Sequence, residues 1–180
     1  MKTRFFSFFL AVTSLFLLNS CESDLLDFSD TFDYEYEVTV LTTGDTVFSQ
    51  TEVVDLSEQS DLIAQYGDKI KSIEIQNVKY WLTAFEGDDD QKIIEASLKV
   101  ANEDGSDAKT ITEINDQNLK ALLNSETSLE MYQDGVDKMA GLIKEPPHKL
   151  QLAYNTACNK GPLNFTVRFK FSIKMTANPL

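Results

Sequence analysis

Catalysis through an imidazole needs a histidine beside a nucleophile or a metal, and this chain has one histidine, His148. It follows Pro146-Pro147, where a solvated loop residue is expected. No His-Glu-x-x-His, Gly-x-Ser-x-Gly, phosphate-loop or Gly-x-Gly-x-x-Gly pattern occurs, so a catalytic triad or a histidine-built zinc centre is excluded. Carboxylates are plentiful, with 29 Asp and Glu, and glycoside hydrolysis needs only two of them at a set separation. Abundance selects no pair, however, and most of these acids fall in turns or on the polar phase of strands. Hard cations such as calcium need several oxygen ligands, and Asp88-Asp89-Asp90 and Asn102-x-Asp104-Gly105-x-Asp107 are the candidate loops. The second fails the helix-loop-helix calcium pattern, because its first and twelfth positions would be Val100 and Ile111. Acids and glycine there are also what hairpin turns require, so neither a metal site nor a cofactor is expected.

Aromatic side chains offer a different chemistry, stacking on sugars or peptides. Tyr34, Tyr36 and Trp81 are the candidate ligand-binding residues. Trp81 falls on the opposite phase from Val78, Tyr80, Leu82 and Ala84, beside Lys79 and Thr83, where it is either an exposed recognition platform or, as large aromatics usually are, buried, here against the inserted helix.

The elements that position these residues are mostly strands. Phe32, Tyr34, Tyr36, Val38 and Val40 alternate with Asp33, Glu35, Glu37 and Thr39, which predicts a half-buried strand over 31–41. Gly44-Asp45 and the β-branched run over 46–55 predict its antiparallel hairpin partner. A short helix is expected over 57–67, and then a long strand over 69–85. Its apolar phase slips at Gln76-Asn77, predicting a bulge that lets it serve two packing faces. The segment 86–91 reads as a hairpin loop leading to Ile94, Ala96, Leu98 and Val100, with a second turn over 102–107 and a short apolar piece at Ile111 and Ile114.

Leu119, Leu122 and Leu123 then follow helical spacing behind Asp116 as cap. Thr127 and Glu130 suggest a capping box for a second helix bearing Leu129, Tyr132, Val136, Met139, Ala140 and Ile143, which Pro146-Pro147 ends. The last two alternating runs, Leu150 to Thr156 and Phe165 to Met175, are expected to form a long hairpin through Asn159-Lys160-Gly161-Pro162. Arg168 and Lys170 lie on the polar face of the second run, and since the chain is acidic elsewhere that basic face is expected to lie against acidic strand faces, such as Glu35 and Glu37, by cross-strand pairing.

The chain is thus expected to be mainly β: an antiparallel β-sandwich, immunoglobulin-like in architecture, with inserted helices. The alternative is an α+β fold, one curved antiparallel sheet with the 129–143 helix packed across it. Domain organisation reads as a signal segment over 1–20, an acidic tether over 21–30 and a single β-rich domain over 31–180.

The N-terminus carries an address. Lys2 and Arg4 precede an apolar run, Phe5 to Leu18, of export-signal length that is too short to cross a bilayer, which takes roughly 20 residues. It ends in Leu18-Asn19-Ser20-Cys21, which resembles the lipobox of bacterial lipoprotein precursors. The resemblance implies that the Cys21 thiol receives a diacylglyceryl group, that cleavage leaves Cys21 as the new N-terminus, and that fatty acids such as palmitate hold the protein on a membrane, two or more chains being needed for stable anchoring. The implied location is the cell envelope, at the outer membrane, facing either the periplasm or the surface. The acidic stretch Glu22 to Asp30 resembles the export signal behind the lipidated Cys of some surface lipoproteins, and equally suits a solvated spacer.

Charge narrows the partners. The formal net charge is −13, and losing residues 1–20 removes Lys2 and Arg4 and no acid, giving −15. Such a surface repels phosphate, which argues against nucleic acid and against electrostatic adhesion to anionic lipid. Of the two cysteines, lipidation consumes Cys21 and leaves Cys158 as a buried filler at a strand end. The function expected is that of a lipid-anchored, non-catalytic module binding a protein or glycan. The competing classes are a structural subunit of an outer-membrane complex and a carboxylate-dependent enzyme acting on polysaccharide.

Overall fold

The computed structural model describes residues 26–178. The lipobox-like segment Leu18-Asn19-Ser20-Cys21 and the first part of the tether lie outside the described residues. In chain order the elements are β1 (Phe28–Leu41), β2 (Val47–Asp55), α1 (Leu56–Gln59), α2 (Asp61–Tyr66), a 3-10 turn (Gly67–Lys69), β3 (Ile70–Phe85), β4 (Lys92–Ala101), β5 (Lys109–Asn118), α3 (Leu119–Leu122), β6 (Thr127–Ser128), α4 (Gln133–Lys144), β7 (Lys149–Cys158) and β8 (Asn164–Ala177).

Two four-stranded antiparallel sheets, ordered β1-β8-β3-β6 and β2-β7-β4-β5, pack face to face. Their inward side chains form one core, in which Phe169 of the first sheet meets Tyr154 of the second at 5.6 Å between ring centroids. The sandwich is therefore as expected, and the single curved sheet is not formed. Every connection except β4 to β5 passes from one sheet to the other. That interleaving of eight strands is the jelly-roll order rather than the immunoglobulin one.

The interleaving overturns three expected hairpins. β1 pairs with β8 and β2 with β7, so the Gly44-Asp45 turn joins strands of different sheets. The 86–91 loop likewise crosses from β3 to β4, and β7 and β8 do not pair with each other. The crossing loops hold one another instead. Thr42 N–H donates to Leu163 O at 2.9 Å, and Leu163 N–H donates to the Thr42 hydroxyl at 2.9 Å. Gln91 Nε2 donates to Lys160 O and Pro162 O at 2.9 and 3.0 Å.

The bulge foreseen near Gln76 lies between Ile75 and Asn77. It does not divide the strand between two faces: it returns Ile75 and Val78 to the same core, because one extra residue inverts the alternation. A second bulge, between Ile93 and Glu95 in the β4–β7 register, buries Ile93 and leaves Ile94 48% exposed, reversing the expected phase.

The helices are shorter than read. Ser60 splits the 57–67 helix, closing α1 and accepting from Ile63 N–H to start α2. Asn118, not Asp116, caps α3, since Asp116 sits at φ 49° and pairs with Lys92. Thr127 is in β6, paired with Tyr80, so no capping box forms and α4 begins only at Gln133. The tether also ends earlier than 30, because Phe28 packs edge-on against Tyr66 at 4.7 Å and β1 begins there.

α4 decides the shape of the sandwich. It touches β3 of one sheet and β4, β5 and β7 of the other, and its Met139 and Ile143 are fully buried. It thereby packs across the flank where β6 and β5 are the outer strands. The opposite flank, bounded by β1 and β2, has no such helix among the described residues.

A candidate binding cleft between two sheet edges

The uncovered flank forms a cleft of about 460 Å³ between β1 and β2. Alternation on β1 sends Tyr34 and Tyr36 inward, where they stack on their cross-strand partners Phe171 and Phe169 at 5.9 and 6.4 Å, while Glu35 and Glu37 face outward. Opposite them β2 supplies Glu52, Val53 and Asp55, and α1 supplies Glu58. Five carboxylates thus line the cleft, with Lys149 as its one cationic lining residue. Arg168 reaches Glu35 at 3.2 Å and Glu37 at 2.6 Å from the outer face, and Lys149 reaches Asp55 at 3.4 Å. Among the described residues no cation pairs with Glu52 or Glu58.

The tyrosines register this charge. Tyr36 is 2% exposed, and its hydroxyl has no hydrogen-bond partner among the described residues. Burial, and then the Glu52 carboxylate, push its phenol up to about 12. Burial and Glu52 push Tyr34 upward as well. A buried hydroxyl left without a partner costs about 1–3 kcal/mol, so this end of the core is polar and incompletely satisfied.

Of the residues singled out from sequence, Tyr34 and Tyr36 line the cleft, but as buried rings whose faces are already stacked. Trp81 is not with them. It is half-buried on the outer face of the same sheet, directly across from Arg168, whose guanidinium lies 5.9 Å from the ring centroid. The three aromatics therefore form no common platform, because one strand alternation separates inward tyrosines from an outward tryptophan. Sequence reasoning missed Glu52 and Glu58. No local pattern marks them; their role depends on β2 being the outer strand of the second sheet.

His148 is not a solvated loop residue. It is buried, with φ 62°; Nδ1 donates to Ile143 O at 2.8 Å, and its own carbonyl accepts from Leu56 N–H at 3.0 Å. Cys158 is buried at the end of β7, as expected for a filler, and burial pushes its thiol up.

The acidic loops are held by lysines. Asp88 and Asp90 both pair with Lys160, and Asp89 pairs with Lys120 at 2.7 Å. Lys138 bridges Asn102 and Asp107 at 2.6 and 2.8 Å, and Asp104 accepts from Ser106. Hydrogen bonds from Lys160, Ser106 and Lys138 hold the carboxyls of Asp90, Asp104 and Asp107, in that order, below the usual range. Among the described residues no group of three His, Cys, Asp or Glu side chains converges on a metal position.

A second groove, about 290 Å³, crosses the outer face of the second sheet. Two side-chain hydrogen bonds occupy part of its lining: Ser49 donates to Asn155 Oδ1 at 2.6 Å, and Tyr132 donates to Glu113 at 3.0 Å.

No family model and no curated protein matches the chain. Among solved structures, it is similar to that of desmodium yellow mottle tymovirus, at 11% identity and TM-score 0.29, covering 84% of this chain and 90% of the other. It is also similar to turnip yellow mosaic virus, at 9% identity and TM-score 0.39, covering 85% and 96%. A third is the decameric BFDV capsid protein, at 7% identity and TM-score 0.33, covering 83% and 97%.

Proposed function

We propose that this chain is a lipid-anchored, non-catalytic binding module of the bacterial cell envelope, held at the outer membrane through Cys21 and engaging a protein or glycan partner through the flank between β1 and β2. The anchor rests on the lipobox-like Leu18-Asn19-Ser20-Cys21. The binding role rests on one observation: α4 packs across one flank of the sandwich, and the other is an acidic cleft lined by Tyr36, whose hydroxyl has no partner among the described residues. Folded proteins seldom leave buried polar groups unpaired without a reason, and a ligand that supplies a donor there is such a reason. Because β1 begins at Phe28, only the short tether separates the cleft-bearing strand from the anchored cysteine.

The test has two parts. Metabolic labelling with palmitate should tag the wild-type protein, and Cys21→Ala should release it into the aqueous fraction. Affinity isolation from envelopes, with crosslinking from cleft positions, should recover a reproducible partner. An untagged product, or a wild-type protein that recovers nothing while cleaving glycans, would overturn the reading.

A further inference from the structure

We infer that the cleft receives an extended, Lys- or Arg-bearing segment of a partner protein, added as a strand along the β1 edge with its basic side chains turned into the cleft. This rests on the binding-module reading and names the partner chemistry.

Three observations carry it. First, β1 is 14 residues long and ends its sheet, so one row of its backbone N–H and C=O groups is not used by the β8 ladder. Strand addition satisfies such a row with main-chain hydrogen bonds, while side chains at alternate positions give specificity. Secondly, the charge is one-sided: Glu52 and Glu58 have no cationic partner among the described residues, while Lys149 pairs with Asp55 and Arg168 holds Glu35 and Glu37 from the outer face. Alternate residues of an added strand lie about 6.6 Å apart, so successive ammonium or guanidinium groups would meet successive acids. Thirdly, Tyr36 lines the cleft and is almost fully buried, and its hydroxyl has no partner among the described residues. An N–H donor from a lysine or arginine pairs that oxygen.

The same observations disfavour other occupants. A metal ion needs convergent ligands, and among the described residues no such group exists. A sugar needs a free aromatic face, and the Tyr34 and Tyr36 rings are stacked on Phe171 and Phe169. A second copy paired β1 to β1 about Glu35 would set Glu35 against Glu35 and Asp33 against Glu37, and like charges across a ladder repel.

The experiment uses the full chain in detergent and a fluorescent ten-residue peptide of alternating Lys and Thr, read by anisotropy. A Glu-Thr peptide controls for charge. A Lys-Thr peptide with alternate backbone nitrogens methylated keeps its charge but cannot pair as a strand. The Lys-Thr peptide should bind and the Glu-Thr peptide should not. Methylation should weaken binding about tenfold, as should the double variant Glu52→Gln, Glu58→Gln. Tyr36→Phe should weaken binding about fivefold with Tm unchanged or raised, since it deletes an unpaired buried hydroxyl. Absence of binding, or equal binding of the methylated peptide, would overturn the proposal. If crosslinks from envelopes then map a partner elsewhere on the domain, the binding-module reading stands without the cleft; if no partner is recovered either, both fall.

Discussion

Arg168 of β8 grips Glu37 of β1 through two nitrogens, Nε at 3.0 Å and Nη2 at 2.6 Å from the same carboxylate oxygen, and spreads over Trp81 on its other side. The register places Glu37, Arg168 and Trp81 in one row across three strands. Both charged groups are more than a third exposed, so solvent screens the pair, and its coupling should be only about 0.2–1 kcal/mol. A double-mutant cycle with Glu37→Gln and Arg168→Met should return that value and shrink in about 1 M salt. Arg168→Lys should recover little of it, because an ammonium neither forks nor stacks.

The two glycines of α4 should respond in opposite directions to alanine. A Cβ on Gly135 would lie 2.1 Å from Thr110 O and 2.7 Å from Ile111 Cα, both backbone atoms of β5. Gly135→Ala must push the helix off the sheet and should cost about 2–3 kcal/mol in urea denaturation. Gly141 has nothing within 4 Å of its would-be Cβ, so Gly141→Ala should stabilise by about 0.5–1 kcal/mol through lower unfolded-state entropy.

His148 should prove structural. A carbonyl only accepts, so the 2.8 Å contact with Ile143 O places the proton on Nδ1, and the ring fills the space above Gly67, where a Cβ would fall 2.5 Å from Nε2. His148→Ala leaves a buried carbonyl unpaired and keeps a positive φ without the histidine's tolerance for it, at an expected loss of about 1–3 kcal/mol. Thermal denaturation measures this directly.

Acid should weaken the fold in a defined direction. The Ser57 hydroxyl and N–H, followed by Lys149, hold the Asp55 carboxyl below its usual range, and the Lys170 ammonium does the same for Asp33. A carboxyl whose folded pKa is lowered stabilises fully above its unfolded pKa of about 3.9 and loses that contribution as pH falls through the folded value. Tm should therefore decline below about pH 4. Asp55→Asn should flatten part of that decline, while Asp55→Ala should also remove the α1 cap, at about 1 kcal/mol.

Much of the sandwich could be read one strand at a time. Alternation alone put Tyr34, Tyr36, Val38 and Val40 inward on β1, and the basic face of β8 in an otherwise acidic chain pointed to acidic partners such as Glu35 and Glu37, which the register supplies. The jelly-roll order could not be read this way. A turn such as Gly44-Asp45 is chemically suited to a tight hairpin and equally to a loop that changes sheets, and β1 and β2 have similar patterns whichever neighbours they take. The cleft was half legible: its tyrosines stood out, but Glu52 and Glu58 looked like ordinary solvated acids.

Sequence by itself determined which residues are apolar, with what period, and which charges complement each other, because these follow from side-chain chemistry and a backbone repeat of two residues. Tertiary structure alone decided which strands are neighbours, which flank α4 packs across, and that five acids share a cleft. Those outcomes depend on burying both sheets' inner faces at once, a condition on the whole chain that no local segment contains.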